Sequence, residues 1–286
     1  MIVLGLDLEG MNVDITKGPQ PEDRITEIGA VLWDWDESIP VKIYSELIDE
    51  PGRLPIHEEV VEINGITDEL LAKWGSKLIA KELTTLSELI NSADVIMAHN
   101  GTDYDYQMLK MCYARYGVYF QPKVWVDSCW DIEYPRKMKS KALASLEHSH
   151  GFINPFPHRA VTDVMSMLKV ASNYDLYKAL TICHSNSIEI RASWPFPTNK
   201  EPNFFERKQR FEEIKSIAKK EKFYWNPDDK VWAKEIRESK KMEFLQTTNL
   251  PMNGEIALEY KDVGKPDWVT DYFEVNSQLP NYCNPF

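Results

Sequence analysis

The stretch MIVLGLDLEG, residues 1–10, decides the predicted fold, because a short apolar run ends there in two acidic side chains. Residues 2–8 have the length and apolar character of a buried strand. Asp7 and Glu9 are two residues apart, and alternate side chains of a strand point to the same face of a sheet. Two carboxylates on one face are unfavourable without a compensating positive charge. The stretch therefore predicts a strand that ends in a cation-binding pair.

The next 170 residues or so alternate between strand and helix patterns. β-rich segments at 25–33 and 41–48 predict an antiparallel meander with the first strand. Thr67 is a candidate helix N-cap, and apolar residues at three- and four-residue steps predict a helix over 78–90. The later predicted strands are 95–98 and 124–126, and the later predicted helices are 104–116, 139–149 and 159–174. This order indicates an α/β architecture, a mixed sheet flanked by helices.

The composition changes near residue 190. The stretch SWPFPTNKEPN, residues 193–203, contains three prolines and is typical of a linker. We therefore expect a first domain over 1–190, a Pro-rich linker over 191–202, and a small C-terminal α+β domain over 203–286. A basic amphipathic helix over 204–222 and an aromatic-rich hairpin over 223–236 are predicted within that domain.

The aromatic residues of the C-terminal segment allow two interpretations. Phe223, Tyr224, Trp225 and Trp232 lie among lysines, and residues 201–241 hold twelve basic and nine acidic side chains. Such a pattern is typical of a surface on which single-stranded bases stack. It is equally typical of a small hydrophobic core surrounded by solvated lysines. Both interpretations stay open at the level of sequence.

Composition excludes several classes of protein. The chain of 286 residues is 43% hydrophobic and 27% charged, too apolar for a disordered protein. No run approaches the ~18 apolar residues of a transmembrane helix, and the first residues do not resemble a signal peptide. Four cysteines without close spacing argue against a zinc ribbon or a disulfide framework. We therefore expect a cytoplasmic protein that does not bind membranes.

Two further stretches add acidic residues and a histidine to the pair on the first strand. In MAHNGTDYDYQML, residues 97–109, a strand pattern is followed by Asp103 and Asp105 at a helix start. In PHRAVTDVMSMLKV, residues 157–170, His158 and Asp163 lie at another helix start. Each stretch alone is explained equally well by a turn or a helix cap. Their joint occurrence favours a carboxylate cluster of the kind used in two-metal phosphodiester hydrolysis.

The ordered motifs resemble those of the DEDDh family of 3′→5′ exonucleases, the DnaQ-like group with an RNase H-like fold. The resemblance covers roughly residues 1–175. The family motif D-x-E matches Asp7 and Glu9, and its H-x-A-x-x-D motif matches His158 to Asp163. The remaining matches are R-I-x-E-I-G-A at 24–30, N-G-I-T at 64–67, and H-N followed by an aromatic residue and Asp at 99–105.

The resemblance implies a site and a reaction. It implies that Asp7, Glu9, Asp105 and Asp163 bind two divalent ions, Mg²⁺ or Mn²⁺. Imidazole is well suited to accept a proton from water at neutral pH, which is the role the resemblance implies for His158. The implied products are nucleoside 5′-monophosphates released from a 3′ end. The implied substrate-binding residues are Leu8, Gly10, Met11, His99 and Asn100.

The chain departs from the family pattern at two places. Many members have Thr after the catalytic Glu, where this chain has Gly10 and Met11, so the seating of the terminal nucleotide is open. The second motif contains an extra residue, which leaves two aspartates. Asp105 is preferred because Tyr104 supplies the preceding aromatic residue, and Asp103 is the fallback.

The expected partner is a nucleic acid with a free 3′ end, and single-stranded DNA is favoured over RNA. An exoribonuclease of the RNase T or oligoribonuclease type is the alternative, and a replisome proofreading or docking subunit is a third. The net charge of −12 argues against a broad basic groove. Binding that depends on a divalent metal and on a free end fits this charge better. The sequence leaves the oligomeric state open.

Overall fold

The computed structural model describes residues 1–11, 19–101, 104–135, 138, 140–197 and 203–264. The described chain forms two compact units, one ending at Cys183 and the other beginning at His184. Within the described residues, no helix is both long and apolar enough to cross a membrane.

The first unit alternates strands and helices after an initial three-stranded meander. Its elements are β1 (Ile2–Gly10), β2 (Ile25–Asp34), β3 (Ile39–Leu47), α1 (Glu58–Asn64), α2 (Asp68–Trp74), α3 (Ile79–Ser92), β4 (Val95–Ala98), α4 (Asp105–Tyr116), β5 (Trp125–Asp127), α5 (Leu143–Ser149), α6 (Ala160–Ala171) and α7 (Leu176–Cys183).

The five strands form one mixed sheet in the order β3-β2-β1-β4-β5. β1 pairs antiparallel with β2, and β2 pairs antiparallel with β3. β4 pairs parallel with both β1 and β5. The predicted meander and the predicted α/β architecture, a mixed sheet flanked by helices, are therefore confirmed.

The core of the first unit lies around β1, the central strand. Leu4 and Leu6 are fully buried, and the helices α3, α4 and α6 all pack against this strand. Burying a leucine side chain stabilises a fold by about 1.5–3 kcal/mol relative to exposure. The apolar run at residues 2–8 thus supplies the centre of the hydrophobic core. The acidic residues at the carboxyl end of β1 lie at one end of the sheet.

Two glycines allow helix α6 to lie close to the sheet. A Cβ at Gly29 would lie 2.4 Å from the backbone carbon of Ala160 and 2.4 Å from the backbone nitrogen of Val161. A Cβ at Gly5 would lie 2.6 Å from Leu168 Cδ1, a side-chain atom. Real Cβ atoms essentially never approach other atoms this closely, so the helix can contact β1 and β2 only because both positions lack a side chain.

Local capping explains where several helices begin and end. Thr67 caps α2 as predicted, since its hydroxyl accepts the Leu70 N–H at 3.1 Å. Gly65 and Gly117 end α1 and α4 in the left-handed conformation, with φ of 72° and 63°. These positive φ angles favour glycine over other residues.

The second unit contains a four-stranded antiparallel sheet with helices. Its elements are β6 (Ser187–Ser193), α8 (Phe204–Lys220), β7 (Tyr224–Asn226), β8 (Val231–Arg237), α9 (Lys241–Thr247) and β9 (Ala257–Gly264). The strand order is β7-β8-β6-β9. The predicted boundary at residue 190 falls inside β6, which hydrogen-bonds to β8 and β9. The structure therefore divides the chain at 183/184, earlier than the sequence indicates.

The predicted aromatic hairpin is present, and it contributes to the core of the second unit. β7 pairs with β8, and the Asn226 side chain accepts the Asp228 N–H at 3.0 Å within the turn. Phe223 and Trp232 are buried in the core of this unit, whereas Tyr224 and Trp225 are about half exposed at the edge strand. Burial of Phe223 and Trp232 favours the core interpretation for these two residues.

The glycine contacts predict an order of stability for two variants. Gly29→Ala places a methyl group against the backbone of α6, whereas Gly5→Ala places one against side-chain atoms only, 2.6 Å from Leu168 Cδ1 and 2.7 Å from Val164 Cγ1. We expect Gly29→Ala to lower the free energy of unfolding by about 1–3 kcal/mol, and Gly5→Ala to cost less. Urea unfolding followed by circular dichroism measures both. Equal losses, or a larger loss for Gly5→Ala, would contradict the proposed backbone contact.

Candidate active site

Three carboxylates from two elements meet at one end of the first unit's sheet. Asp7 and Glu9 lie on the same face of β1, as the two-residue spacing predicts, and Asp163 lies in the first turn of α6. One ligand oxygen from each of the three lies within 4.8 Å of the others. Carboxylate oxygens so arranged are the ligands that hard divalent cations prefer. The three side chains therefore form a candidate metal centre.

Asp105 lies beside this cluster and is almost completely buried. It is the first residue of α4, and its Oδ1 accepts the Leu8 N–H at 2.9 Å. Leu8 stands between Asp7 and Glu9, so this bond fixes the fourth carboxylate next to the strand that holds the other two. The fallback residue, Asp103, lies outside the described residues.

Burial and mutual repulsion make these carboxylates reluctant to ionise. Burial first, and then the charges of Asp105 and Glu9, raise the pKa of Asp7 well above its usual range. Burial raises the pKa of Glu9 to about 7 and that of Asp105 to about 8, and it also raises the pKa of Asp163. A site with buried, mutually repelling carboxylates is stabilised when it binds protons or cations.

Asp163 and His158 are held together by the loop before α6. Asp163 Oδ2 accepts the backbone N–H of His158 at 3.0 Å, and its Oδ1 accepts the Asn154 side-chain amide at 2.6 Å. His158 has a φ of 60°, which is uncommon for a residue other than glycine, and its side chain is exposed. Such backbone strain costs about 1–3 kcal/mol and clusters at functional sites. The conformation keeps an exposed imidazole next to the carboxylate cluster.

An ion pair between the buried Glu27 and the partly exposed Arg159 holds the start of α6 against β2. Glu27 is 1% exposed, and its carboxylate accepts two hydrogen bonds from the Arg159 guanidinium, at 3.0 Å from Nε and 2.8 Å from Nη2. The same carboxylate accepts the backbone N–H of Ala160 at 3.1 Å and thereby caps the helix. Glu27 is not among the predicted site residues, although an acidic residue inside an apolar strand is a visible signal.

Asn64 is a second residue at the site that is not among the predicted site residues. Its side-chain amide donates to Glu9 Oε2 at 3.0 Å, and its carbonyl oxygen accepts the Ile66 N–H at 2.9 Å. The hydrogen bond opposes the rise in the pKa of Glu9 that burial causes. The N-G-I-T stretch therefore orients a carboxylate of the cluster.

The predicted substrate-binding residues of β1 differ in accessibility. The side chains of Leu8 and Met11 are buried, 5% and 9% exposed, so they are not accessible to a nucleotide. A Cβ at Gly10 would lie 2.0 Å from the Tyr104 hydroxyl. The missing side chain at position 10, where many family members have Thr, thus accommodates Tyr104.

His99 and Asn100 lie at the carboxyl end of β4. The His99 imidazole hydrogen-bonds to the Ser128 hydroxyl at 2.8 Å and to the backbone of Lys141, and burial lowers its pKa. Asn100 has a φ of 58°, and its backbone N–H donates to Asp127 at 3.0 Å. Both residues thereby connect the ends of β4 and β5, and neither belongs to the carboxylate cluster.

Comparison with known proteins places the chain in a family. Residues 4–171, more than half of the chain, match the profile of the RNase T family, which is described as an exonuclease. The matched segment contains all four carboxylates of the candidate site, Asp7, Glu9, Asp105 and Asp163. The chain belongs to the RNase T exonuclease family. No curated protein sequence gave a significant match.

Solved structures share this fold at low sequence identity. The zinc-bound complex of E. coli exonuclease I with single-stranded DNA superposes with a TM-score of 0.52 at 16% identity, over 67% of this chain and 48% of that one. The nuclease domain of 3′hExo, described as a DEDDh family member bound to rAMP, gives 0.48 at 14% identity, over 60% and 90% of the two chains. The chain thus spans about half the length of exonuclease I.

The raised pKa values predict a pH-dependent stability without metal. Glu9 titrates near 4.5 when unfolded and at about 7 when folded, so the folded protein binds more protons between these values. The free energy of unfolding therefore falls as the pH rises through this interval, by on the order of 3 kcal/mol for Glu9 alone. Divalent ions replace those protons, so the rise in Tm on adding Mg²⁺ or Mn²⁺ should be larger at about pH 8 than at about pH 6.

Differential scanning fluorimetry of the wild type and of Asp7→Asn measures this effect. The variant should show a weaker pH dependence without metal and a smaller metal-induced shift. A metal-induced shift in the wild type that is equal at both pH values would contradict the linkage between protons and metal.

Proposed function

We propose that the protein is a metal-dependent 3′→5′ exonuclease that removes nucleoside 5′-monophosphates from the 3′ ends of single-stranded DNA. The observation that supports this proposal is the convergence of Asp7, Glu9 and Asp163 beside the buried Asp105. Membership of an exonuclease family supports it independently.

The residues present fit a pair of divalent ions. Oxygens of Asp7, Glu9 and Asp163 lie within 4.8 Å of one another, and burial together with the neighbouring acidic groups raises the pKa of Asp7 and of Asp105. We propose that Asp7, Glu9, Asp105 and Asp163 hold two ions, Mg²⁺ or Mn²⁺. Such ions, when bound, activate a water molecule and stabilise the negative charge of the leaving 3′ oxygen.

His158 acts as the general base in this proposal. Its imidazole is exposed at the carboxylate cluster, and its backbone is fixed by the hydrogen bond to Asp163. It accepts the proton of the water that attacks the terminal phosphodiester. Glu27 and Arg159 are positioning residues, because they fix the helix start that follows His158.

The backbone at the end of β1 and at the residue after it receives the terminal nucleotide in this proposal. Leu8, Gly10 and Met11 contribute main-chain groups there, since two of their side chains are buried and the third is absent. The net charge of −12 favours substrates that bind through the metal ions over substrates held by a long basic groove. We therefore expect weak binding without divalent metal and selectivity for a free 3′ end.

A 3′→5′ exoribonuclease is the second candidate function. The name of the matching family, RNase T, favours it. The carboxylates and His158 act on the phosphodiester, which DNA and RNA share, so the same cluster serves either substrate.

Two variants separate the base from the metal ligands. His158→Ala should lower kcat by about 10²–10⁴-fold while retaining metal binding, because it removes proton transfer alone. Asp7→Ala should lose both activity and metal binding. Activity is measured on single- and double-stranded DNA and RNA carrying a 3′ or a 5′ label, and metal binding is measured by isothermal titration calorimetry.

His148→Ala is the matched control, because His148 is an exposed histidine of α5 in the same unit. It should retain wild-type rates. Wild-type rates for His158→Ala would refute the assignment of the base, and processive loss of 5′-terminal nucleotides would refute the polarity.

A further inference from the structure

A tryptophan is exposed at the end of the sheet that carries the candidate active site. Trp130 follows β5, is 44% exposed, and donates its indole N–H to the Asn100 side chain at 3.1 Å. The Lys141 ammonium lies over the ring at 5.2 Å from its centroid and donates to the Cys129 carbonyl at 2.6 Å. We call these three residues, Asn100, Trp130 and Lys141, the Trp130 ledge.

The strand register places this ledge close to the carboxylate cluster. Gly5 of β1 pairs with Met97 of β4, and Ala98 pairs with Asp127 of β5. The strands are parallel, so the segments after Met97 and Asp127 leave the sheet at the same end as Asp7. Neighbouring strands lie about 4.8 Å apart, which puts the end of β5 about 10 Å across the sheet from the end of β1. One or two nucleotides of a single strand span such a distance.

The ledge is held firmly by buried polar contacts. Asp127 is fully buried, and its Oδ1 accepts the backbone N–H groups of Asn100 and Cys129 at 3.0 and 2.8 Å. His99 contacts Ser128 and the backbone of Lys141, as described above. A rigid aromatic ring held in this way loses little conformational freedom when a base stacks on it.

The chemistry of the ledge matches a nucleotide of a single strand. An exposed indole offers a flat surface on which any base can stack, and an adjacent ammonium offers a positive charge to a phosphate. The chain carries a net charge of −12, and Lys141 supplies a positive charge at the end of the sheet that carries the carboxylate cluster. Its position suits the strand that leads away from the metal centre.

We propose that the Trp130 ledge binds the second or third nucleotide from the 3′ end of a single-stranded DNA substrate, the base stacking on Trp130 and the phosphate contacting Lys141. This inference rests on the proposed function, because it requires the terminal nucleotide to lie at the carboxylate cluster. In this proposal the ledge raises the affinity for strands of several nucleotides and takes no part in the hydrolysis.

Binding without turnover tests the ledge directly. The full chain is titrated in Ca²⁺ with a 5′-fluorescein-labelled oligothymidylate of eight nucleotides, and fluorescence anisotropy gives Kd. Trp130→Ala should raise Kd by about 5- to 150-fold, the range expected for loss of one stacked base. Trp130→Phe should stay within about threefold of the wild type, because the phenyl ring still stacks. Lys141→Gln should flatten the slope of log Kd against log salt by about 0.7, corresponding to one lost phosphate contact.

Trp74→Ala is the matched control. Trp74 is 64% exposed, and the Lys73 ammonium lies 5.1 Å from its ring centroid. Trp74 and Lys73 therefore form the same kind of exposed tryptophan–lysine pair as Trp130 and Lys141. Trp74 is the last residue of α2, and Ser76 pairs with Ile48, the residue after β3. β3 and β5 form opposite edges of the sheet, so Trp74 lies far from the Trp130 ledge. Its replacement should leave Kd unchanged.

The outcomes separate the ledge from the proposed function. Cleavage of the p-nitrophenyl ester of thymidine 5′-monophosphate reports on the carboxylate cluster alone, and Trp130→Ala should leave its rate unchanged. If the wild type binds the oligonucleotide but cleaves neither it nor the p-nitrophenyl ester, the proposed function is refuted. The Kd values of the variants then still show whether the Trp130 ledge binds the strand. The proposed role of the ledge is refuted if the Kd of Trp130→Ala lies within twofold of the wild-type Kd, or if the wild type does not bind the oligonucleotide. It is also refuted if the Kd of Trp130→Phe or of Trp74→Ala rises as much as that of Trp130→Ala.

Discussion

The contact between the first turn of α6 and the backbone of β2 is the constraint on which the site depends. Gly29 leaves no side chain between them, and two residues earlier Glu27 accepts both the Arg159 guanidinium and the Ala160 N–H. The helix start is thereby fixed against the sheet in position and in direction. Asp163 reaches Asp7 and Glu9 only because of this close approach. A helix displaced by the width of one methyl group would still cover the core, yet it would separate the carboxylates.

Repulsion among the four carboxylates explains why the fold holds them with several hydrogen bonds. Bringing like charges together with partial burial is unfavourable, and the raised pKa values of Asp7, Glu9, Asp105 and Asp163 record that cost. The hydrogen bonds from Leu8, Asn64, Asn154 and the His158 backbone each hold one carboxylate in place. The donors come from three separate segments, β1, the end of α1 and the loop before α6, and they orient Asp105, Glu9 and Asp163. Preorganisation of this kind is what an enzyme needs if bound ions are to adopt one arrangement.

Local sequence patterns predicted the parts of the fold that depend on neighbouring residues. The alternation in β1 placed Asp7 and Glu9 on one face, and the hairpin of β7 and β8 followed from its turn residues. The boundary between the units was placed too late because β6 finds its partners in β8 and β9, some 40 to 70 residues further along the chain. The prolines after β6 gave a stronger local signal than a short strand whose pairing is not yet visible. The pairing of Glu27 with Arg159, across 132 residues, is equally invisible to a local pattern. The roles of the individual site residues remain predictions that rest on their geometry and on the family resemblance.

The packing of Tyr104 over Gly10 has a consequence for how this site can change in evolution. The tyrosine hydroxyl occupies the space that any side chain at position 10 would need, since a Cβ there would lie 2.0 Å from it. Position 10 therefore cannot gain a side chain while the Tyr104 hydroxyl stays where it is. A threonine at position 10 therefore requires that the Tyr104 side chain move or lose its hydroxyl, for example through phenylalanine. We therefore expect substitutions at positions 10 and 104 to depend on each other.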